Sequence, residues 1–181
     1  MGARVLSILF VVTVVFAPAL AAQPLGDDGI AAGVVRSVNT YSRFTIFDDV
    51  SVEVSGGAVT LRGKVTMPFK RDELAQRVER VDGVRSVKND IDVLPASIFD
   101  DELRRKIARA IYANSAFWRY AAMVNPPVHI VVENGRVTLT GVVASEVDRV
   151  LAQSLATGFG EFAVVNELRT ERAQSQQSAQ R

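Results

Sequence analysis

The sequence contains no cysteine and only one histidine, and these absences exclude several classes of protein. Without cysteine the chain has no disulfide framework, no thiol nucleophile, no thiolate zinc ligand and no lipid-modified cysteine. The single histidine, His129, alternates with Val128 and Ile130 and so points away from the core face of its strand, with no second ligand or base placed near it. We therefore interpret His129 as a surface residue and expect no catalytic residue, no metal site and no cofactor.

Pairs of adjacent acidic residues are the other place where an acid–base or calcium site could be sought. The pairs are Asp27–Asp28, Asp48–Asp49, Asp72–Glu73 and Asp100–Asp101. Most of them precede predicted helices or strands, where carboxylates commonly accept hydrogen bonds from free backbone N–H groups. We therefore interpret these pairs as capping and loop residues.

The chain also lacks an excess of charge of either sign. It carries 21 basic and 20 acidic residues, and removal of an N-terminal segment that contains Arg4 makes these numbers equal. Nucleic-acid-binding proteins usually carry a clear positive excess or a basic stripe. The composition therefore predicts no nucleic-acid partner.

An apolar run near the N-terminus, Val5–Phe16, is too short to cross a bilayer comfortably, because a spanning helix needs about 20 apolar residues. It follows Arg4 and precedes the small residues Ala19–Ala21, which is the pattern of a secretory signal peptide. We predict that residues 1–21 are a cleaved signal peptide and that the protein is periplasmic. Cleavage after Ala22 is the second choice, and an uncleaved anchor is the alternative.

One stretch of the chain occurs twice. Val50–Val65 returns as Val128–Val143 at an offset of 78 residues, and eight of the 16 aligned positions are identical. Unrelated segments of ordinary composition would share roughly one. The similarity continues on both sides at slightly different offsets, so two copies of a small domain are predicted, at residues 26–94 and 97–170.

Each copy shows the same order of periodic patterns. Apolar residues at helical spacing (Leu103, Ile107 and Ile111 in copy two) precede two alternating strands joined by a tight turn, Gly56–Gly57 or Asn134–Gly135. A second helix, at about 72–81 or 146–156, and a final strand, 87–93 or 163–170, complete the unit. The predicted fold class is α+β: two tandem αββαβ units, each a three-stranded mixed sheet with two helices packed on one face. The Gln/Ser-rich residues 171–181 are expected to be disordered.

These motifs resemble the BON domain, a family named for bacterial osmotic-inducibility and nodulation proteins. The resemblance rests on Val52–Gly63 and Gly83–Asn89 in copy one and on Asn134–Gly141 in copy two. Copy two departs from the pattern at Glu161, where a valine is usual. The resemblance implies a non-enzymatic periplasmic protein, in a family proposed to bind phospholipid and to protect the envelope under osmotic stress.

The copies differ most between Phe117 and Val128, where copy two has five extra residues. Aromatic residues beside cations suit a membrane interface, because Trp and Tyr favour the headgroup level and arginine pairs with phosphate. The candidate lipid-binding residues are Arg104, Arg105, Arg109, Tyr112, Trp118, Arg119 and Tyr120, and the apolar run 121–124 follows them. Alternatively, Trp118 and Tyr120 fill the core or the junction between the domains, and the arginines form a solvated helix face.

The outer sheet face of copy two offers a second candidate surface. Val131 and Val142 lie there, whereas the corresponding positions of copy one are polar. An apolar outer face indicates contact with the sister domain or with a protein partner. The sequence thus favours peripheral binding to anionic phospholipid surfaces, with a protein-interaction or chaperone-like envelope factor as the alternative and a small-ion or solute sensor as the third possibility.

Overall fold

A computed structural model describes residues 26–178 of the chain. Residues 1–21, in which we predict the signal peptide, lie outside the described residues. Within residues 26–178 no helix has the length and apolar character needed to cross a membrane.

Copy one contains two helices and three strands in the predicted order. They are α1 (Asp27–Asn39), β1 (Asp49–Ser55), β2 (Ala58–Val65), α2 (Pro68–Glu79) and β3 (Ser86–Val93). The sequence pattern places the start of α2 at Asp72, four residues too late. Pro68 begins the helix instead, because its fixed φ and missing N–H suit the first helical position.

Copy two repeats this order and adds short elements. They are α3 (Ile98–Tyr112), a 3₁₀ turn (Ser115–Phe117), α4 (Trp118–Ala121), β4 (Val128–Glu133), β5 (Arg136–Val143), α5 (Glu146–Leu155), β6 (Ala163–Asn166) and β7 (Arg169–Thr170). Ser97 caps α3, with its hydroxyl accepting from the Asp100 N–H at 3.1 Å. The predicted last strand is divided into β6 and β7, which both pair with β5 and are separated by Glu167 and the buried Leu168.

Both sheets have the same topology. The first two strands of each unit form an antiparallel hairpin, and the third runs parallel to the second, which therefore occupies the middle. Val52 lies opposite Leu61 in copy one as Ile130 lies opposite Leu139 in copy two. The structure therefore confirms two αββαβ units with mixed sheets.

The tight turn of each hairpin explains part of the repeated sequence. Asn134 and Gly135 have φ angles of 51° and 74°, and Gly56 and Gly57 have 56° and 79°. Two consecutive residues at positive φ define the turn whose twist matches that of a two-stranded hairpin, and Asn and Gly adopt that region most readily.

Each unit has its own apolar core between its helices and its sheet. The core of copy one is built from Ile30, Val34, Val38, Tyr41, Val59, Leu61, Val65, Leu74, Val78 and Ile91. The larger core of copy two contains Leu103, Ile107, Ile111, Phe117, Tyr120, Val128, Ile130, Val132, Val137, Leu139, Val143, Ala152, Ala156 and Leu168. Phe117 is fully buried there.

The C-terminal segment differs from the expectation of disorder. A sixth helix, α6, extends over Glu171–Ser178. Its polar composition suggested disorder, but Glu, Arg, Ala and Gln are also strong helix formers, so low hydrophobicity and helical structure are compatible.

The two units contact each other through the segment Thr45–Asp48 of copy one, which we call the strap. Ile46 and Phe47 pack against the core of copy two rather than their own. The carbonyl of Ile46 accepts a hydrogen bond from the Ile130 N–H at 2.7 Å, on β4, the edge strand of the second sheet. The strap thus covers an edge that would otherwise present unpaired backbone groups.

Candidate functional site

The most exposed apolar segment of copy two follows the 3₁₀ turn, and we call Trp118–Pro127 the exit segment. Val124 is 97% exposed, Trp118 76% and Met123 48%. Exposed apolar side chains that lie close together commonly mark a binding site. The exit segment therefore presents a small apolar surface at the end of the sheet where β4 begins.

A buried tyrosine fixes the exit segment to the fold. The Tyr120 hydroxyl donates to the Asp148 carboxylate at 2.9 Å and accepts from the Ala144 N–H at 2.8 Å. Arg119 binds Asp148 as well, and its guanidinium lies 4.6 Å from the centre of the Tyr120 ring. Burial, together with the hydrogen bond to Asp148, raises the pKa of Tyr120, so the phenol remains protonated and can donate.

A second tyrosine ties the end of α3 to the start of β4. Tyr112 donates its hydroxyl to the carbonyl of Val128 at 2.6 Å and accepts from the N–H of the same residue at 3.2 Å. Burial raises the pKa of Tyr112 well above its ordinary value, so this phenol also stays neutral. Tyr112 and Tyr120 thus both have structural contacts inside the protein.

The predicted cations on α3 fall into two groups. Arg104 is 4% exposed and donates to Asp101 and to the carbonyl of Val132, so it links the helix to β4. Arg105 and Arg109 are exposed to solvent. Arg109 lies in the last turn of α3, close along the chain to the exit segment.

The predicted lipid-binding residues are therefore only partly brought together. Trp118, Arg105 and Arg109 are accessible, and the side chain of Arg119 is 53% exposed although it binds Asp148. The other three, Arg104, Tyr112 and Tyr120, turn their polar groups inward. Sequence reasoning missed Asp148 because it lies 28 residues from Tyr120 and has no carboxylate counterpart in copy one.

The outer face of copy two lies against the sister domain. Val131 is 6% exposed and shares the lining of a cleft of about 270 Å³ with Gly63 and Lys64 of copy one. Val142 lines a second cleft between the units, of about 460 Å³. Of the two explanations that the sequence left open for these valines, contact with copy one accounts for their apolar character.

His129 lines the larger cleft and is not a free surface residue. Its Nδ1 donates to the carbonyl of Asp48 at 2.6 Å, and its ring lies 5.6 Å from that of Phe44. The side chain does point away from the core of its own unit, as the strand alternation predicts, but copy one occupies that side.

Each acidic pair has at least one carboxylate that binds another group of the protein. Asp27 accepts from the N–H groups of Gly56 and Gly57, and Asp100 accepts from those of Asn134 and Gly135. Within residues 26–178 no three His, Cys, Asp or Glu side chains are grouped closely enough to hold a metal ion. These carboxylates therefore stabilise the hairpin turns of the repeat.

Comparison with known proteins identifies the repeat. A family model described as the BON domain matches residues 26–95 and again residues 99–172. No curated protein matches the chain.

The solved structures that are similar to the chain include two of one protein. One is CdsD, a structural protein of the type III secretion system of Chlamydia trachomatis: it is 13% identical with a TM-score of 0.30, and the match covers 84% of this chain and 98% of the other. The C-terminal domain of the same protein is 14% identical with a TM-score of 0.27, covering 77% and 96%. At these TM-scores neither likeness bears on the function of the chain.

Proposed function

The chain belongs to the BON-domain family through two copies of the domain, and on that premise we propose that it binds anionic phospholipid surfaces peripherally, through the exit segment of copy two. BON domains are linked to membrane lipid binding and to envelope proteins, and the family is generally non-enzymatic. We also propose that residues 1–21 direct export of the protein to the periplasm. There it contributes to envelope integrity or to osmotic-stress resistance.

The exposed side chains of the exit segment are the observation that carries this proposal. Trp118, Met123 and Val124 offer an aromatic ring and two aliphatic groups to the interfacial layer of a bilayer. Arg109, which precedes them on α3, supplies an exposed guanidinium for lipid phosphates. Apolar contact and phosphate pairing together are what peripheral binding to an anionic surface requires.

The anchoring of the segment supports binding of useful affinity. Tyr120 and Phe117 are buried on either side of Trp118, so the exposed ring is carried by a backbone that the core holds in place. Asn125 adds a hydrogen bond from its amide to the carbonyl of Asn39 at 2.9 Å, in copy one. Because the segment is already ordered, insertion costs less conformational entropy than it would for a flexible loop.

Trp118 is the only tryptophan of the chain, so its fluorescence reports on the exit segment alone. We expect its emission to shift to shorter wavelength when vesicles of phosphatidylglycerol and phosphatidylethanolamine are added at low salt. In co-sedimentation, Trp118→Ala should weaken binding about tenfold or more, or roughly 1.4 kcal/mol. Arg109→Glu should weaken it mainly at low ionic strength, because salt screens the charge that it changes.

Val147→Ser is the matched control, since Val147 is an exposed hydrophobic residue, at 74%, on a different element of copy two, α5. It should bind vesicles as the unmodified chain does. Absence of binding to anionic vesicles at low salt, or an equal loss in Trp118→Ala and Val147→Ser, would show that the exit segment does not bind lipid.

A further inference from the structure

A second exposed apolar surface lies at the opposite end of copy two, beside the Asn134–Gly135 turn. It consists of Ile98, Phe99 and Phe162, which are 87%, 52% and 83% exposed, and we call it the turn patch. A side-chain carbon added to Gly135 would lie 3.5 Å from the ring of Phe99 and 3.7 Å from Cβ of Phe162, so the two phenylalanines flank the same turn. β4 separates this turn from the exit segment, a distance of about 20 Å for its six residues.

Copy one shows what the fold requires at this place. The Phe162 N–H donates to the carbonyl of Gly135 at 2.8 Å, and the Arg85 N–H donates to the carbonyl of Gly57 at the same distance. Arg85 also packs beside Gly57 as Phe162 packs beside Gly135. The fold is therefore compatible with a solvated cation at this position, and the exposed phenylalanine of copy two is not needed to complete the domain.

Glu161 explains how the phenylalanine comes to be exposed. Its carboxylate accepts hydrogen bonds from the N–H groups of Gly158 and Phe159, both at 2.7 Å, and holds the loop before β6 in place. These hydrogen bonds lower the pKa of Glu161 in spite of its partial burial, so the group stays charged. The departure from the family pattern at Glu161 thus builds a different loop, which ends on Phe162.

The charges around the turn patch are balanced. Asp101 is paired with Arg104, and Glu102 is paired with Lys106 at 2.8 Å. Asp100 accepts from the N–H groups of the turn, and Arg105 is exposed on α3. The last two charges are the carboxylate of Glu161 and the guanidinium of Arg136, which is exposed, lies opposite Ala163 in the sheet and makes no ion pair within residues 26–178. A surface with balanced charge can meet an identical surface without repulsion, and Arg136 of one molecule can then pair with Glu161 of the other.

We propose that the turn patch is a self-association surface, through which copy two binds a second copy of this chain about a twofold axis. Two-fold dimers use the same patch on both molecules, which requires the patch to be complementary to itself. The three side chains offer on the order of 400 Å² per molecule, which corresponds to a weak, reversible dimer. An anionic lipid surface fits this patch less well, because the carboxylate of Glu161, next to Phe162, offsets the charge of Arg136 there.

Sedimentation velocity of the full chain over a wide concentration range tests this surface. We expect a weak, reversible monomer–dimer equilibrium in which the dimer fraction rises with protein concentration. Phe162→Arg gives copy two the residue that copy one already has, so it should keep the fold, checked by circular dichroism and melting temperature, and weaken dimerisation at least tenfold. Val147→Ser removes an exposed hydrophobic group elsewhere on copy two and should leave the dimer unchanged.

The outcomes separate this surface from the exit segment. Trp118→Ala should dimerise normally even though it is expected to lose vesicle binding, so failure of one proposal leaves the other intact. A chain that remains monomeric at the highest concentration, or a Phe162→Arg variant that associates as strongly as the unmodified chain, would overturn the proposal. If the unmodified chain is monomeric and a folded Phe162→Arg variant loses vesicle binding, the turn patch is a lipid contact. That result would also overturn the proposal of a dimer.

Discussion

Two glycines in the middle strands show how closely the repeated sequence is tied to backbone contacts. Gly63 and Gly141 occupy the same place in copies one and two and have φ angles of 136° and 115°. A Cβ at Gly63 would lie 2.1 Å from the carbonyl oxygen of Asp49, and one at Gly141 would lie 1.8 Å from that of Pro127. The edge strand crosses so close at these points that only a hydrogen fits, so glycine recurs in both copies.

This contact leads to a prediction at the residue scale. Gly141→Ala should lower the free energy of unfolding by about 2–4 kcal/mol, because backbone strain and a clash with backbone that cannot move aside act together. Urea denaturation measures the change. Gly158→Ala is the control, since Gly158 has a φ of 100° but no neighbouring atom within 4 Å. Gly158→Ala should lower the free energy of unfolding less than Gly141→Ala does. Equal decreases in the two variants would mean that the clash contributes nothing.

At the scale of elements, polar contacts connect a helix to a turn or loop at both ends of the sheet in each unit. At the end with the hairpin turn, Asp27 in copy one and Asp100 in copy two accept hydrogen bonds from the N–H groups of the turn residues. At the other end of the sheet, each unit has an ion pair between a loop and a helix, and the sign of the charge on each element is opposite in the two copies. In copy one the loop before β1 supplies the carboxylate, Asp48, and α2 supplies the cation, Lys70, at 2.6 Å. In copy two the segment before β4 supplies the cation, Arg119, and α5 supplies the carboxylate, Asp148.

The copy-one pair is buried, with Asp48 fully inaccessible and Lys70 5% exposed. Burial alone would raise the pKa of Asp48, but hydrogen bonds from Lys70, Thr66 and Thr45 outweigh it and hold the pKa below its ordinary value of 3.8. The carboxylate therefore stabilises the fold fully at pH values above that ordinary value. The contribution is lost as the pH falls from there through the lower pKa of the folded protein.

Asp48→Asn should therefore lower the free energy of unfolding at pH 7 by about 3 kcal/mol, since Lys70 is left buried without a counter-ion. Its stability should also fall less steeply than that of the unmodified chain below about pH 4, where Asp48 takes up its proton. Urea denaturation at pH 7 and pH 3 measures both effects. Asp48→Asn combined with Lys70→Met removes both charges and should recover part of the loss. Parallel pH profiles for the single variant and the unmodified chain would contradict the assignment.

At the scale of the whole molecule, the repeat has become asymmetric. The strap of copy one completes the core of copy two with Ile46 and Phe47, and it covers the edge strand β4. Lys64 of copy one and Glu133 of copy two add an ion pair across the junction. Copy two therefore depends on its neighbour for part of its stability, and the two domains are not interchangeable modules.

This dependence predicts an effect that crosses the domain boundary. Phe47→Ala should reduce amide hydrogen-exchange protection in β4 and β5 of copy two, by about 1–2 kcal/mol, more than in β1 and β2 of copy one. Phe69→Ala is the matched control, because Phe69 is a 43% exposed phenylalanine on α2 of copy one. A loss of protection confined to copy one after Phe47→Ala would show that the strap is not part of the second core.

Most of the fold was predictable because the repeat presents each periodic pattern twice. The alternation around Leu61 and Leu139 and the turn residues Asn134–Gly135 depend on local geometry, so they can be read directly from the chain. Boundaries were less accurate, as the start of α2 at Pro68 shows. The prediction of a disordered tail was wrong for residues 171–178, because composition alone does not distinguish a polar helix from a disordered segment.

The candidate site was less predictable, since exposure depends on contacts distant in sequence. Trp118 and Arg109 are accessible, but Arg104 is buried and donates from α3 to the carbonyl of Val132 on β4. Nothing in the local pattern separates Arg104 from Arg105. The turn patch was also missed, because Phe99 and Phe162 are 63 residues apart in the chain and meet only beside Gly135.

Local periodicity and turn chemistry suffice to specify two αββαβ units and to place their greatest difference in the exit segment, because each of these features involves residues within a few positions of one another. Long-range packing assigns the exposed and buried roles. It buries Tyr120 and leaves Trp118 in solvent, brings the strap of copy one into the core of copy two, and joins Phe99 with Phe162. These outcomes depend on which distant segments meet, and so they follow from the folded chain as a whole.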